Sequence, residues 1–228
     1  MVLAVADYIA ALDLVREGIR RLGGPEIGAI SVAAAGPVDK TSVSLTNGSL
    51  VFRAAEIGAA FGGVPVRVFN DLQAAALALP GLAPVDLMHI GPEREADFEH
   101  PVALANVGTG LGVSCLVPGV ANGVPALATE GGHASLAAVN TAERRILAVM
   151  ETRFGHVSAE RVLSGEGLCN LHHAMTGGQE CAPGEIVEAA LSGEKTAAAT
   201  LTQFTAFLGT FAGNIALIYG AWGGVFIG

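Results

Sequence analysis

The sequence predicts an α/β fold, and three observations carry that expectation. Short apolar runs alternate with stretches of helical periodicity through the first third of the chain. The run 64–70, Val-Pro-Val-Arg-Val-Phe-Asn, is rich in valine and stops on two polar side chains, Asn70 and Asp71. Residues 101–117 read as strand, glycine turn and strand. Strands that alternate with helices build a parallel or mixed sheet with crossover helices.

Taken in order, helical periodicity runs over 6–22 and ends at Gly23-Gly24-Pro25. Residues 27–34 read as a strand and Gly36-Pro37 as a turn. A short strand over 43–45 leads into Thr46-Asn47-Gly48, and a short helix covers 54–61. The strand 64–70 follows, then an Ala/Leu helix over 72–79 closed by Pro80-Gly81. Past Pro84 the pattern changes, and a domain boundary is expected there. A small α/β domain takes 1–82 and a larger one 83–228. In the second, a charged loop covers 93–100 and the glycine hairpin 101–117. Helices are expected over 140–153, 158–175, 183–190 and 196–219, with a final strand over 225–227.

Composition narrows the function classes. Hydrophobic residues make up 51% of the 228 and charged ones 14%, so the chain can bury a core. Twelve basic against 21 acidic side chains give a net charge of −9, which repels a phosphate backbone and argues against nucleic-acid binding. Cys115, Cys169 and Cys181 are odd in number and widely spaced, unlike a disulfide framework or a Cys-x-x-Cys metal site. No metal-ligand set is expected, and a reducing cytoplasm is the expected compartment. Asn47-Gly48-Ser49 matches a glycosylation sequon, but the start of the chain lacks the basic region of a signal peptide. Residues 204–228 carry no charge and are long enough on paper to cross a bilayer. Their asparagine and many glycines favour a buried helix instead, so no membrane partner is expected.

Three segments carry chemistry. Asp71 follows a buried-type strand, where open α/β sheets place ligands. It also precedes Leu-Gln-Ala-Ala-Ala, where an aspartate caps a helix, and both readings stand. Gly108-Thr109-Gly110-Leu111-Gly112 is not a dinucleotide fingerprint, because a strand and not a helix follows it. Glycines admit a phosphate close to backbone N–H groups, whereas a plain hairpin turn needs fewer of them. Glu130-Gly131-Gly132-His133 has the Glu-x-x-His spacing of carboxylate metal sites. That motif needs a helix, and paired glycines disfavour one. Ser192-Gly-Glu-Lys195 lacks the companion motifs of a penicillin-binding site. His172-His173 reads as a partly exposed helical pair.

Five segments together resemble the bacterial glucokinase family of the hexokinase–actin ATPase superfamily. They are Phe69-Asn-Asp71, Gly108-Thr-Gly-Leu-Gly112, Glu130-Gly-Gly-His133, residues 156–165 (His-Val-Ser-Ala-Glu-Arg-Val-Leu-Ser-Gly) and Gly223-Gly-Val-Phe-Ile227, framing about 160 residues. The resemblance implies a two-domain sugar kinase on the actin-like ATPase (ribonuclease H-like) fold, using ATP and Mg²⁺ to phosphorylate the 6-hydroxyl of glucose. It assigns Asp71 as general base. It assigns Asn70, Glu130, His133, Glu160 and Asn47 to sugar hydroxyls, and Gly108, Thr109 and Gly110 to phosphate. Gly224 falls where the family approaches adenosine. Homodimers are common in the family.

The roles suit the chemistry. A sugar hydroxyl is a poor nucleophile and needs a carboxylate to take its proton. Asparagine, glutamate and histidine match hydroxyls that both donate and accept. With the base in one domain and the phosphate turn in the other, closure becomes a condition for transfer. The family also begins with an Asp-x-Gly-Gly-Thr phosphate loop, which helps hold Mg²⁺, and continues past Gly-Gly-Val-Phe-Ile. Both pieces are absent here, so the chain is expected to be a fragment, incomplete at both ends and of doubtful turnover. A non-catalytic sugar-binding protein on the same fold, or a kinase for another hexose, are the other readings.

Overall fold

The computed structural model describes residues 2–46, 48–91, 94–119, 125–178 and 182–228. Asn47 and Cys181 lie outside them. The chain divides into two units, Met1–Ala78 and Leu79–Gly228.

In the first unit, helix α1 (Ala11–Arg21) starts later than its periodicity predicts, because Val5–Asp7 forms a separate 3₁₀ turn. On its exposed side Glu17 accepts from both Arg20 and Arg21 at 2.7 Å. These bonds hold the Glu17 carboxyl down at about 2. Strand β1 (Ile30–Ala34) pairs in parallel with β5 (Val66–Asn70), Ile30 opposite Val66 and Ala34 opposite Asn70. Between them β2 (Val38–Asp39), β3 (Ser42–Ser44) and β4 (Val51–Arg53) form an antiparallel meander, followed by α2 (Ala54–Ala60). Val43, Leu50, Phe52, Ile57 and Val68 are the buried centre. The crossover between parallel strands is what the alternating pattern implies.

Helix α3 (Asp71–Ala78) follows β5 directly, with no loop between them. The cap at this junction corrects the helix-cap reading of Asp71. Asn70 Oδ1 accepts from the N–H groups of both Leu72 (3.0 Å) and Gln73 (3.3 Å), so Asn70 is the capping side chain. Asp71 stands at the first helical position, where a carboxylate also suits the helix dipole.

In the second unit the sheet order is β8-β7-β6-β9. Strands β6 (Val102–Val107) and β7 (Leu111–Leu116) form the glycine hairpin. Strand β8 (Ala126–Thr129) pairs antiparallel with β7, and β9 (Gly224–Ile227) pairs in parallel with β6. Val102 to Ala105 are all buried, as a central strand covered on both faces requires. Ala103, Val113, Met150, Leu163, Leu171, Phe207 and Phe211 form the core with helices α4 (Thr141–Phe154), α5 (Gly165–Thr176) and α7 (Lys195–Tyr219), while α6 (Pro183–Leu191) packs apart from it, Ile186 with Leu168 and Ala197.

Caps explain the helix boundaries. Asn140 accepts from the Glu143 N–H, and the buried Glu143 carboxylate accepts from Val139 N–H and Asn140 Nδ2. Ser164 accepts from the Gly167 N–H, which starts α5 there and not at 158 as expected. Glu194 takes the Thr196 and Ala197 N–H groups at the start of α7. Those backbone donors hold its carboxyl below the usual range. Helix α7 is also less buried than expected. It buries one stripe, including Phe207, Phe211 and Ile215, while Leu217 and Ile218 are exposed. It is long and apolar enough to cross a membrane, by length and composition only.

Candidate functional site

The glycine hairpin closes at residues 108–110. The Gly108 N–H donates to the Gly110 carbonyl at 2.9 Å, and the Gly108 carbonyl accepts from Gly165 N–H, also at 2.9 Å. Among the described residues, the N–H groups of Thr109 and Gly110 have no hydrogen-bond partner. Neither Gly108 nor Gly110 has a positive φ, so turn conformation does not explain the glycines. A Cβ at Gly108 would meet nothing within 4 Å, and one at Gly110 would meet only Glu160, 2.6 Å from Oε2. At Gly108, glycine keeps the backbone bare toward open space.

The Glu-Gly-Gly-His segment is built the opposite way. Gly131–His133 forms a single 3₁₀ turn pressed onto β7. A Cβ at Gly132 would sit 1.9 Å from the Leu111 carbonyl oxygen. Thr129 holds the approach, donating to the Val113 carbonyl (2.7 Å) and accepting from Gly131 N–H and Tyr219 Oη (both 3.3 Å). On the far side the Gly132 carbonyl accepts from Glu160 N–H at 2.9 Å, and Ala134 O from Ala159 N–H. The turn therefore presents His133 outward, its Nδ1 3.2 Å from Glu130 Oε2 and its Nε2 3.6 Å from Glu160 Oε1. Glu130 and His133 are exposed, and Glu160 is partly covered. The second oxygen of Glu160 accepts from the Leu111 N–H at 2.9 Å.

Thr109, His133 and Glu160 line one cleft of about 310 Å³ with Ser158, Arg161, Ser164, Glu166 and Asn170. The sequence reading assigns no role to the last five, although Ser158, Arg161 and Ser164 lie within its 156–165 segment. Asn170 is fixed by Arg153, which donates to its Oδ1, and by its own donation to the Arg161 carbonyl. Both guanidinium groups stack on Phe154, at 5.0 and 4.3 Å. Glu166 and Asn170 answer to no quoted segment, while Ser158, Arg161 and Ser164 were signalled only by the 156–165 segment and, for Ser164, by a hydroxyl before an apolar helix.

The remaining assigned residues lie elsewhere. Gly224 pairs with Val102, at the opposite end of β6 from the glycine turn, and its φ of +129° explains why it is glycine. Asn70 and Asp71 belong to the first unit. Asn70 Nδ2 donates to the Gly36 carbonyl (3.3 Å). Asp71 Oδ1 accepts from Leu72 N–H at 2.9 Å, and its other oxygen has no partner among the described residues. Asn47 lies outside the described residues.

Comparison with known proteins completes the description. The family model described as Glucokinase matches residues 1–228. A glucokinase of Paramagnetospirillum magneticum is 41% identical over 237 residues, covering 100% of this chain and 73% of that protein. A glucokinase of Chromobacterium violaceum is 40% identical, covering 97% of this chain and 65% of that protein. The crystal structure of a glucokinase from an Antarctic psychrotroph superposes with a TM-score of 0.88 at 34% identity, over 99% of this chain and 71% of that one. Its fold, the actin-like ATPase fold of sugar kinases, is the fold of this chain. The chain thus spans between two thirds and three quarters of the length of most of these relatives and falls just short of two thirds in one. With the family model matched from end to end and the fold shared at that level of identity, the chain belongs to the glucokinase family.

Proposed function

We propose that this chain binds glucose and ATP and carries residues for phosphoryl transfer to the sugar 6-hydroxyl. One observation supports this most: a single cleft is lined both by Thr109, whose N–H has no partner among the described residues, and by the His133–Glu160 pair. N–H groups on a bare turn suit phosphate oxygens. Glu130, His133 and Glu160, with acceptors and a ring N–H pointing outward, suit a polyol. In this reading Gly108, Thr109 and Gly110 receive phosphate, and Glu130, His133 and Glu160 hold hydroxyls. Asn70 acts mainly by fixing the start of α3, because both ends of its amide are engaged. Asp71 is the general base. One of its oxygens is anchored by the Leu72 N–H, which orients the group, and the other is available to accept a proton.

Mg²⁺, when bound with ATP, would neutralise charge on the phosphates. Among the described residues no group of three or more His, Cys, Asp or Glu could hold it, so we propose that it arrives on the nucleotide. Cys115 is a buried free thiol, in keeping with the proposed cytoplasmic setting.

The test is calorimetric titration with glucose, followed by a coupled assay for ATP-dependent phosphorylation. Asp71→Asn is expected to lower turnover by roughly 10² to 10⁴ while glucose affinity changes little. Turnover unchanged in Asp71→Asn would overturn the base assignment. Glucose binding without transfer, in the unsubstituted chain as well, would make it a sugar-binding protein on the same fold. Titration with other hexoses decides the epimer.

A further inference from the structure

Glu160 touches more than the sugar side of the cleft. Its Oε2 accepts the Leu111 N–H (2.9 Å) at the mouth of the glycine hairpin, and its own N–H donates to Gly132 (2.9 Å). Gly132 in turn lies against the Leu111 carbonyl, closer than any Cβ could approach. Leu111, Gly132 and Glu160 therefore form one junction joining the glycine turn, the Glu-Gly-Gly-His turn and the segment leading to α5. A second tie, Gly165 N–H to the Gly108 carbonyl, braces the other side of the turn. Oε1 of Glu160 remains turned toward His133.

We propose that Glu160 is a positioning residue for the glycine turn, and that Gly110 is glycine so that this carboxylate can reach it. The inference rests on the sugar and phosphate roles given above. Its consequence is that the two subsites share one side chain. A carboxylate drawn toward a hydroxyl through Oε1 acts on the turn through Oε2, so sugar and nucleotide binding are coupled without any larger movement. A substitution in the turn is then felt at the sugar. Gly110→Ala is the sharpest probe, because its Cβ meets only the end of the Glu160 side chain, 2.6 Å away. The fold survives by swinging that carboxylate aside.

Two readouts test this. The first needs no ligand: amide hydrogen exchange at Leu111. Exchange is expected to speed up about tenfold in Glu160→Ala and in Gly110→Ala, and to stay near the unsubstituted rate in Glu160→Gln, whose carbonyl still accepts the bond. Unchanged exchange in Glu160→Ala and Gly110→Ala overturns the tie. The second is glucose titration without nucleotide. Gly110→Ala is expected to weaken glucose about tenfold, the loss of one charge-assisted contact. Equal affinity in the two proteins overturns the coupling. If the unsubstituted chain binds no glucose, the sugar reading fails, while the exchange comparison still decides the tie.

Discussion

The second unit contains two glycine turns that use the same residue for opposite ends. At 108–110 the backbone is bare: Gly108 faces open space, and two N–H groups lack partners among the described residues. At 131–132 it is packed: Gly132 lies against the Leu111 carbonyl and Gly131 against the Val113 side chain. The first kind of glycine leaves room for something outside the protein. The second lets one chain segment lie flat on another and so aims its neighbours, Glu130 and His133. A glycine-rich motif therefore names a chemistry only after its empty side is known to face solvent or protein.

The difference can be broken by adding one methyl group at a time. Gly132→Ala should have the largest effect, since backbone must move from backbone. We expect a loss of about 1–3 kcal/mol or more in urea unfolding, with glucose binding lost. Thr129→Val comes next. It strips a hydroxyl that serves Val113, Gly131 and Tyr219, leaving buried groups unpaired, at a cost of about 1–3 kcal/mol. Ser164→Ala removes the cap of α5 beside the cleft and should cost about 1 kcal/mol. Gly108→Ala should change stability by less than about 0.5 kcal/mol yet weaken ATP, measured by calorimetry. A stable Gly132→Ala would erase the contrast between the turns.

The smallest effect concerns pH and lies away from both turns. Glu194 caps α7 with a carboxyl whose pKa is lowered by the Ala197 and Thr196 N–H groups. Its folded pKa lies below its unfolded one, so it contributes stability above the unfolded value. That contribution fades as pH falls through the folded pKa. Glu194→Gln should therefore melt lower than the unsubstituted chain at neutral pH, with the two melting curves converging as the solution is made strongly acidic.

How much of this was readable beforehand varied with element length. The β6–β7 hairpin, α3 and α7 carry long apolar patterns and were readable. Strands β2, β4 and β8 span two to four residues each and leave no period to detect. The segment 158–163 has helical spacing, but the backbone of Val157, Ala159 and Glu160 is committed to the 132–136 segment, which no local pattern reveals. By sequence Asp71 reads as a cap as well as a rim carboxylate. The structure gives the capping work to Asn70, where β5 ends and whose Oδ1 takes the Leu72 and Gln73 N–H groups. The sugar-binding assignment of Glu160, Glu130 and His133 comes from family resemblance and from no local pattern. The bond from Glu160 to Leu111 spans 49 positions and emerges only in three dimensions.

The contrast between the turns is tested most directly by amide chemical shifts during two titrations of the same protein. ATP with Mg²⁺ should move the Thr109 and Gly110 resonances most, with a smaller shift passed through Glu160 to His133, while glucose alone should move Glu130 and His133 most. An ATP titration that leaves Thr109 and Gly110 unmoved would contradict the account.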